Sequence, residues 1–316
     1  MAAQGTEIIA ELLQQIQSLD SPEGQTAAAL HSLSSLTKVS SHNRKHVAAA
    51  PGAVPLLLSL ISAATPSSTH TQTLSLSLSI LFNLSLNTNL KLSLAQTPNL
   101  ITLLNSILLS SKPPHAAKLA ASLLCSLAML DKNKAPLGVA GTVEVIVEAL
   151  RCSTNVSSSS PANHHLLSAL AELLHFHGNC TLAVRAGVVP LLVGNLESPP
   201  EELAGSFTVL GLLARFDEGI EAIMAVDGVV SLMVDGLRKG CTVSRESAAE
   251  ILIKLFEESG ECLKEAALNH DEWSSLLADL SVRGSARARE KAAVLMRMMM
   301  ENDLDGYLDM EGNYMD

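Results

Sequence analysis

An apolar run that follows a small residue, usually glycine, recurs at a regular interval along the chain. The clearest copies are Pro51–Leu57 and Ala186–Leu192. Successive copies are separated by 46, 43, 46, 41 and 43 residues. Self-similarity at such a period predicts a chain built from repeats of one structural unit. The positions that mark the copies are Gly52, Pro98, Gly141, Gly187, Gly228 and Asp271.

Each period divides into three predicted helices. A short helix such as Lys132–Val139 precedes the glycine, which turns the chain because it tolerates the positive φ found at helix C-termini. A second helix follows, and Pro55 and Pro190 lie in its first turn, where a missing N–H costs nothing. After a polar loop comes a longer, more apolar third helix, such as His115–Leu130 or Glu202–Phe216. Such units must pack on their neighbours to bury their apolar surface, so the pattern predicts an all-α solenoid.

One segment carries a strand-like pattern. From Leu74 to Ile80, leucine or isoleucine alternates with serine, which by itself is typical of a half-buried strand. The repeat places a third helix here, and the central helices of a solenoid are apolar around most of their circumference. We therefore predict a helix at this position.

Composition and charge narrow the class of partner. The 316 residues include 21 Lys plus Arg and 32 Asp plus Glu, which gives a net charge of −11. This acidic excess argues against nucleic acid or an anionic membrane surface as a partner, because both require clustered Lys and Arg. With 47% hydrophobic residues the chain can bury a core, and with 3% aromatics that core must consist mainly of Leu, Ala, Val and Ile.

Residues that could carry chemistry do not form a recognisable site. The five cysteines include no C-x-x-C pair, which argues against a disulfide framework or a structural zinc site. His175 and His177 are two residues apart and would point to different sides of a helix. His42 and His46 share a helix face, but the glutamate of a zinc protease is missing. Phosphate loops, a G-x-S-x-G elbow and kinase motifs are absent. We predict no enzyme activity, no metal site and no cofactor.

The sequence also shows no recognisable targeting signal. We find no secretory signal and no run of 18 or more apolar residues. We therefore expect a cytoplasmic or nuclear protein that is a monomer and does not enter membranes.

Several segments resemble the armadillo domain of plant U-box proteins. The similarity is carried by Phe82–Ser85 at the end of a third helix, by Asp131–Lys134 and Gly138–Gly141 around a first helix, and by the closing segment Gly284–Leu295. The resemblance implies a right-handed armadillo-repeat superhelix of six to seven repeats. In that family a separate U-box recruits the ubiquitin-conjugating enzyme. Repeat material starts close to the N-terminus here, so we expect these residues to lack a U-box.

The predicted organisation has three segments. Residues 1–24 form an N-terminal helical cap, residues 25–300 form the armadillo solenoid, and residues 301–316 form an acidic tail that we expect to be disordered. Six of the acidic residues and no basic residue lie in this tail, which is typical of a solvated end.

The resemblance also implies a binding groove. In armadillo solenoids one position of the third helix, usually Asn, and the residue four earlier point into a concave groove. Nuclear-import receptors place Trp and Asn there to hold a basic peptide, but the single Trp of this chain, Trp273, falls in a second helix. An import receptor is therefore not expected. The predicted groove residues are His31, Ser35, Ser79, Asn83, Ser122, Ser126, Ser168, Glu172, Thr208, Glu250 and Lys254, with Leu212 paired to Thr208.

Together these features predict a non-catalytic scaffold or adaptor that holds a partner polypeptide in the groove through polar side chains of the third helices. The alternative is a substrate-recruiting component of a ubiquitin-ligase system, which would act with a separate U-box or RING subunit. The sequence does not identify the partner.

Overall fold

The computed structural model describes residues 2–17, 23–63, 68–110, 114–154, 162–194, 196, 200–269 and 272–312. Over these ranges the chain forms twenty helices and no strand, which confirms the predicted all-α class. The helices group into two compact units, Met1–Asn179 and Cys180–Asp316.

The first unit begins with α1, which packs on α2, and the predicted role of residues 1–24 as a cap stays a prediction. Its helices are α1 (Ala2–Gln17), α2 (Glu23–Val39), α3 (Ser41–Ala49), α4 (Ala53–Ser62), α5 (Ser68–Ser85), α6 (Thr88–Ala95), α7 (Leu100–Leu109), α8 (Pro114–Ala128), α9 (Asp131–Val139), α10 (Thr142–Thr154) and α11 (Asn163–Leu174). The helix α12 (His177–Arg185) contains the boundary between the units.

The second unit repeats the same order of short, medium and long helices. These are α13 (Val188–Gly194), α14 (Pro200–Leu213), α15 (Asp217–Met224), α16 (Val229–Lys239), α17 (Thr242–Glu258), α18 (Gly260–Asn269), α19 (Trp273–Arg283) and α20 (Ala286–Gly312). The long third helices α14, α17 and α20 pack in sequence, each on the next.

The turn between first and second helices has the predicted left-handed residue. Gly52, Gly141, Gly187 and Gly228 have φ between 70° and 78°. In the second copy the marker Pro98 is off by one residue, because the left-handed position is Asn99 with φ 63°. Proline is fixed near −65° and cannot adopt this conformation, whereas asparagine tolerates it. The marker Asp271 lies outside the described residues.

The third helices of the first unit form one continuous layer. Helices α2, α5, α8 and α11 pack side by side in chain order. The alternating segment that begins at Leu74 lies inside α5 and is helical, as predicted from the repeat. Leu74, Leu78 and Leu81 are buried, since they lie at helical spacing on the packed face.

Helix α20 runs from Ala286 to Gly312 and so passes residue 300, where the boundary between solenoid and tail is predicted. That domain boundary stays a prediction. Residues 313–316 of the acidic tail lie outside the described residues, and the expectation of disorder in the tail stays a prediction.

Candidate protein-binding face

Two predicted groove residues, Asn83 and Ser126, are buried where neighbouring third helices meet. The Asn83 side-chain Nδ2 on α5 donates to Thr37 Oγ1 at 3.1 Å and to the Ser34 carbonyl at 3.2 Å, both on α2. One repeat later, Ser85 Oγ donates to Ser126 Oγ at 2.8 Å. Asn83 and Ser126 are each only 5% exposed. The predicted register is periodic, but both side chains are turned into the joint between helices rather than toward a groove.

Two buried lysines occupy matching positions beside this joint. Lys91 on α6 donates from Nζ to the Ser126 carbonyl at 2.7 Å, and burial lowers the pKa of its ammonium group. Lys134, 43 residues later, lies 2.7 Å from the Asp131 carboxylate and 3.8 Å from that of Glu172. Glu172 is a predicted groove residue that stays partly exposed, but one of its oxygens already faces a lysine.

A second set of structural contacts comes from asparagines in the first helices. Asn133 Nδ2 donates to the carbonyls of Lys91 at 3.2 Å and Leu127 at 3.0 Å. Asn179 Nδ2 donates to the carbonyls of Lys134 at 3.0 Å and Leu173 at 2.9 Å. Each asparagine connects the end of the third helix that comes just before it to the first helix of the same preceding repeat. Each side chain is 1% exposed.

Gly138 packs against the side chain of Asn179. A Cβ at this position would lie 1.9 Å from Asn179 Oδ1, so no other residue fits without displacing the asparagine. Sequence reasoning did not single out these asparagines. The only sequence pattern that marks them is an Asn shortly after the third helix in several periods. Asn43 is another example, and its Nδ2 donates to the Leu36 carbonyl at 3.1 Å.

Three predicted serines remain on the accessible side of the third helices. Ser79, Ser122 and Ser168 are partly exposed and lie at equivalent positions of α5, α8 and α11. Ser79 Oγ also lies within hydrogen-bond distance, 3.2 Å, of Ser34 Oγ on α2. Ser122 Oγ donates to the Lys118 carbonyl at 2.8 Å, and Ser168 Oγ donates to the His164 carbonyl at 2.7 Å. Each hydroxyl therefore keeps acceptor lone pairs that a partner N–H could use.

The first predicted pair lies on α2 and is fully accessible. His31 and Ser35 are exposed, and Ser35 Oγ donates to the His31 carbonyl at 3.0 Å. The predicted contribution of these two side chains to binding a partner stays a prediction.

Two exposed apolar residues follow the third helices α5 and α8, seven residues after Ser79 and Ser122, and the sequence reasoning missed them. Leu86 is 47% exposed and Met129 is 60% exposed. They are 43 residues apart, directly after α5 and α8, so they occupy equivalent positions of neighbouring repeats. Their signal in the sequence is an apolar residue just before a first helix, where a solvated end would carry a polar one. Ser79, Ser122, Ser168, Leu86 and Met129 are called the third-helix face of the first unit below.

The equivalent positions of the second unit are mostly paired or buried. Thr208 is partly exposed and donates from Oγ1 to the Ala204 carbonyl at 2.7 Å. Leu212 is 9% exposed, and Lys254 Nζ lies 2.6 Å from the Glu257 carboxylate. Thr208 thus makes the same bond to the carbonyl four residues earlier as Ser122 and Ser168, whereas Leu212 is buried and Lys254 is ion-paired.

Glu250 is held by cations from two neighbouring third-helix segments. Its Oε1 accepts from Arg215 Nε at 2.7 Å, and its Oε2 accepts from Lys291 Nζ. Burial by itself would raise the pKa of the Glu250 carboxyl, but the hydrogen bonds and charges of Arg215 and Lys291 outweigh burial and hold it below its usual value. Glu250 therefore links repeats, and its predicted role in binding a partner stays a prediction.

Over the described ranges, no group of three or more His, Cys, Asp or Glu side chains could hold a metal ion. All five cysteines are free thiols, and burial raises the pKa of Cys180 to about 11. In this part of the chain no single helix is long and apolar enough to cross a membrane. Two sharply bent helix pairs, α3 with α4 and α6 with α7, meet that length and composition test only when taken together.

Comparison with known proteins decides the family. A family model described as the plant U-box protein ARM repeat region matches residues 8–306. The chain belongs to this plant U-box armadillo-repeat family. The match extends over both units and includes the third-helix face of the first unit.

The family's curated members resemble this chain over part of their length. U-box domain-containing protein 17 of Arabidopsis thaliana is 34% identical over 139 residues, which is 43% of this chain and 19% of that protein. U-box domain-containing protein 8 of the same plant is 33% identical over 153 residues, 48% of this chain and 39% of that protein. This armadillo chain therefore spans well under half the length of these relatives.

Solved structures confirm the armadillo fold. A computationally designed armadillo-repeat protein for modular peptide recognition aligns with a TM-score of 0.66 at 17% identity, covering 77% of this chain and 98% of the designed one. An engineered protein aligns with the same TM-score at 19% identity and covers 94% of this chain and 82% of its own. At these identities the likeness concerns the fold alone.

Proposed function

We propose that this armadillo-repeat chain is a non-catalytic scaffold that binds a protein partner across the third-helix face of the first unit. The observation that carries the proposal is the pair of exposed apolar residues, Leu86 and Met129, at equivalent positions of adjacent repeats. Exposed apolar residues scattered singly need no explanation, but here the exposure recurs at the same position of two adjacent repeats, and this recurrence supports the proposal.

The polar side chains of this face suit a polypeptide partner. Ser122 and Ser168 offer acceptor lone pairs, and peptide N–H groups supply matching donors. Asn83 and Ser126 are buried in the joint between helices, so they cannot supply the amide ladder implied by the resemblance. Covering the exposed parts of Leu86 and Met129 would contribute roughly 1–2 kcal/mol each.

Matched substitutions test this proposal. Proteins captured from a plant extract by the wild-type chain are compared with those captured by the double variant Leu86→Asp/Met129→Asp. Leu109→Asp is the control, because Leu109 is an apolar residue 52% exposed on a second helix. We expect partners that the double variant loses and the control keeps. Identical capture by all three chains would contradict the proposal.

The second candidate function is recruitment of a substrate to a ubiquitin ligase. It is favoured by the relatives, which are U-box domain-containing proteins. The chain is incubated with ubiquitin-activating and ubiquitin-conjugating enzymes, with and without a separate U-box or RING protein. Modification of a captured partner only when that second protein is present would support recruitment, whereas autoubiquitination by the chain alone would overturn the non-catalytic proposal.

A further inference from the structure

His42 and His46 lie one turn apart on the first helix α3 and are not among the residues that define the third-helix face. Their Nε2 atoms are 2.8 Å apart, and their ring centroids are 4.1 Å apart with an angle of 77° between the ring planes. His42 is exposed and His46 is partly exposed, so solvent reaches both rings. From this geometry we propose that His42 and His46 form a two-imidazole chelate for Ni(II) or Cu(II).

The distance between the two nitrogens matches one coordination geometry better than the others. With metal–nitrogen bonds of about 2.0–2.1 Å, two ligands at a right angle have nitrogens about 2.9 Å apart, and two tetrahedral ligands about 3.3–3.4 Å apart. The observed 2.8 Å is close to the right-angle value. Square-planar or tetragonal sites with nitrogen ligands are those that Cu(II) and Ni(II) prefer.

Helical spacing accounts for this arrangement. Side chains at i and i+4 lie on the same helix face, so both imidazoles reach one point in solvent without any change in the backbone of α3. Binding requires the lone pairs of both Nε2 atoms. The ring that donates its Nε2–H to the other therefore changes tautomer, so that its proton is on Nδ1, and the metal occupies the position between the two nitrogens.

The surroundings do not suit Ca²⁺ or Mg²⁺. Arg44 and Lys45 lie between the two histidines in the sequence, and Arg44 donates to the carbonyls of Thr37 at 2.9 Å and Lys38 at 3.3 Å, so its charge is held against the end of α2. Ca²⁺ and Mg²⁺ require several oxygen ligands, which these side chains do not supply. Solvent fills the remaining coordination positions.

The chain provides its own control in His175 and His177. These two residues are also exposed, but they are separated by two positions, one before and one at the start of α12. They lie where the chain turns from α11 to α12 and share no helix face, so they lack the i, i+4 spacing that brings two imidazoles to one point.

Isothermal titration of the full chain with Ni(II) alone tests the proposal. Ni(II) is the probe because the exposed thiols of Cys152 and Cys241 would reduce Cu(II). Either His42→Ala or His46→Ala is expected to lower the affinity by about 100-fold or more, because the second ligand on one helix acts at high effective concentration. The double variant His175→Ala/His177→Ala should bind like wild type.

Three results would overturn the site. They are no saturable Ni(II) binding by the wild-type chain, equal affinity of wild type and His42→Ala, or a larger loss in the His175→Ala/His177→Ala variant. Far-ultraviolet circular dichroism of each variant confirms that the helices are retained, so a loss of affinity reports on the ligands.

Discussion

Replacing Asn133 with alanine tests how first helices hold adjacent repeats together. The side chain is 1% exposed, and its Nδ2 donates to the carbonyls of Lys91 and Leu127 on two different helices. A hydrogen bond of this kind contributes about 0.5–1.5 kcal/mol, so losing two lowers the free energy of unfolding by about 1–3 kcal/mol. Asn133→Asp should cost more, because a buried carboxylate would face two carbonyl oxygens.

Urea unfolding followed by circular dichroism measures this effect. Asn89→Ala is the matched control, because Asn89 is an exposed asparagine in the preceding first helix and its replacement should change stability by less than about 0.5 kcal/mol. If Asn133→Ala were as stable as wild type, or if the control were equally destabilised, the asparagine bridge would not hold the repeats together.

Two further predictions concern the core and the ion pairs. Leu124→Ala on α8 removes a side chain that is 1% exposed, so it should lower the free energy of unfolding by about 2–5 kcal/mol, and a neutral result would contradict the assigned helix face. Because the folded-state pKa of Glu250 is below its usual value, its ion pairs stabilise the protein above the unfolded-state pKa, and that contribution is lost as pH falls through the folded value. Glu250→Gln should therefore be less stable than wild type near neutral pH, with the difference shrinking in acid, and an equal difference by urea unfolding at both pH values would refute this.

The sequence alone was sufficient to predict the repeats and their register. Its period placed the left-handed glycines at Gly52, Gly141, Gly187 and Gly228, and it showed that the alternating segment beginning at Leu74 is helical. A period of apolar positions fixes these features because every repeat must bury the same face on its neighbours.

The sequence alone was not sufficient to predict which way individual side chains point. Asn83 and Ser126 occur at the expected interval, yet they are buried because Thr37 and Ser85 offer hydroxyl partners from the neighbouring repeat. Such partners are about 40 residues away in the chain, so periodicity alone cannot reveal them. For the same reason, alanine at Asn83 or Ser126 should destabilise the fold rather than affect only a partner.

Leu86 and Met129 could not be distinguished from core residues by type. Both follow a long apolar helix, and only the structure shows that the chain turns there and leaves their side chains in solvent. Exposure of an apolar residue depends on where the neighbouring repeat ends, which composition does not record.

Site-specific photo-crosslinking tests most directly whether a partner lies on the third-helix face. A photoreactive amino acid replaces Ser122, which is partly exposed on α8, or Ser106, which is exposed on the second helix α7. Each chain is irradiated together with a partner captured as described above, and the crosslinked peptides are identified by mass spectrometry. We expect crosslinks from position 122 and not from position 106. Crosslinks from position 106 alone, or equally from both, would contradict binding at this face.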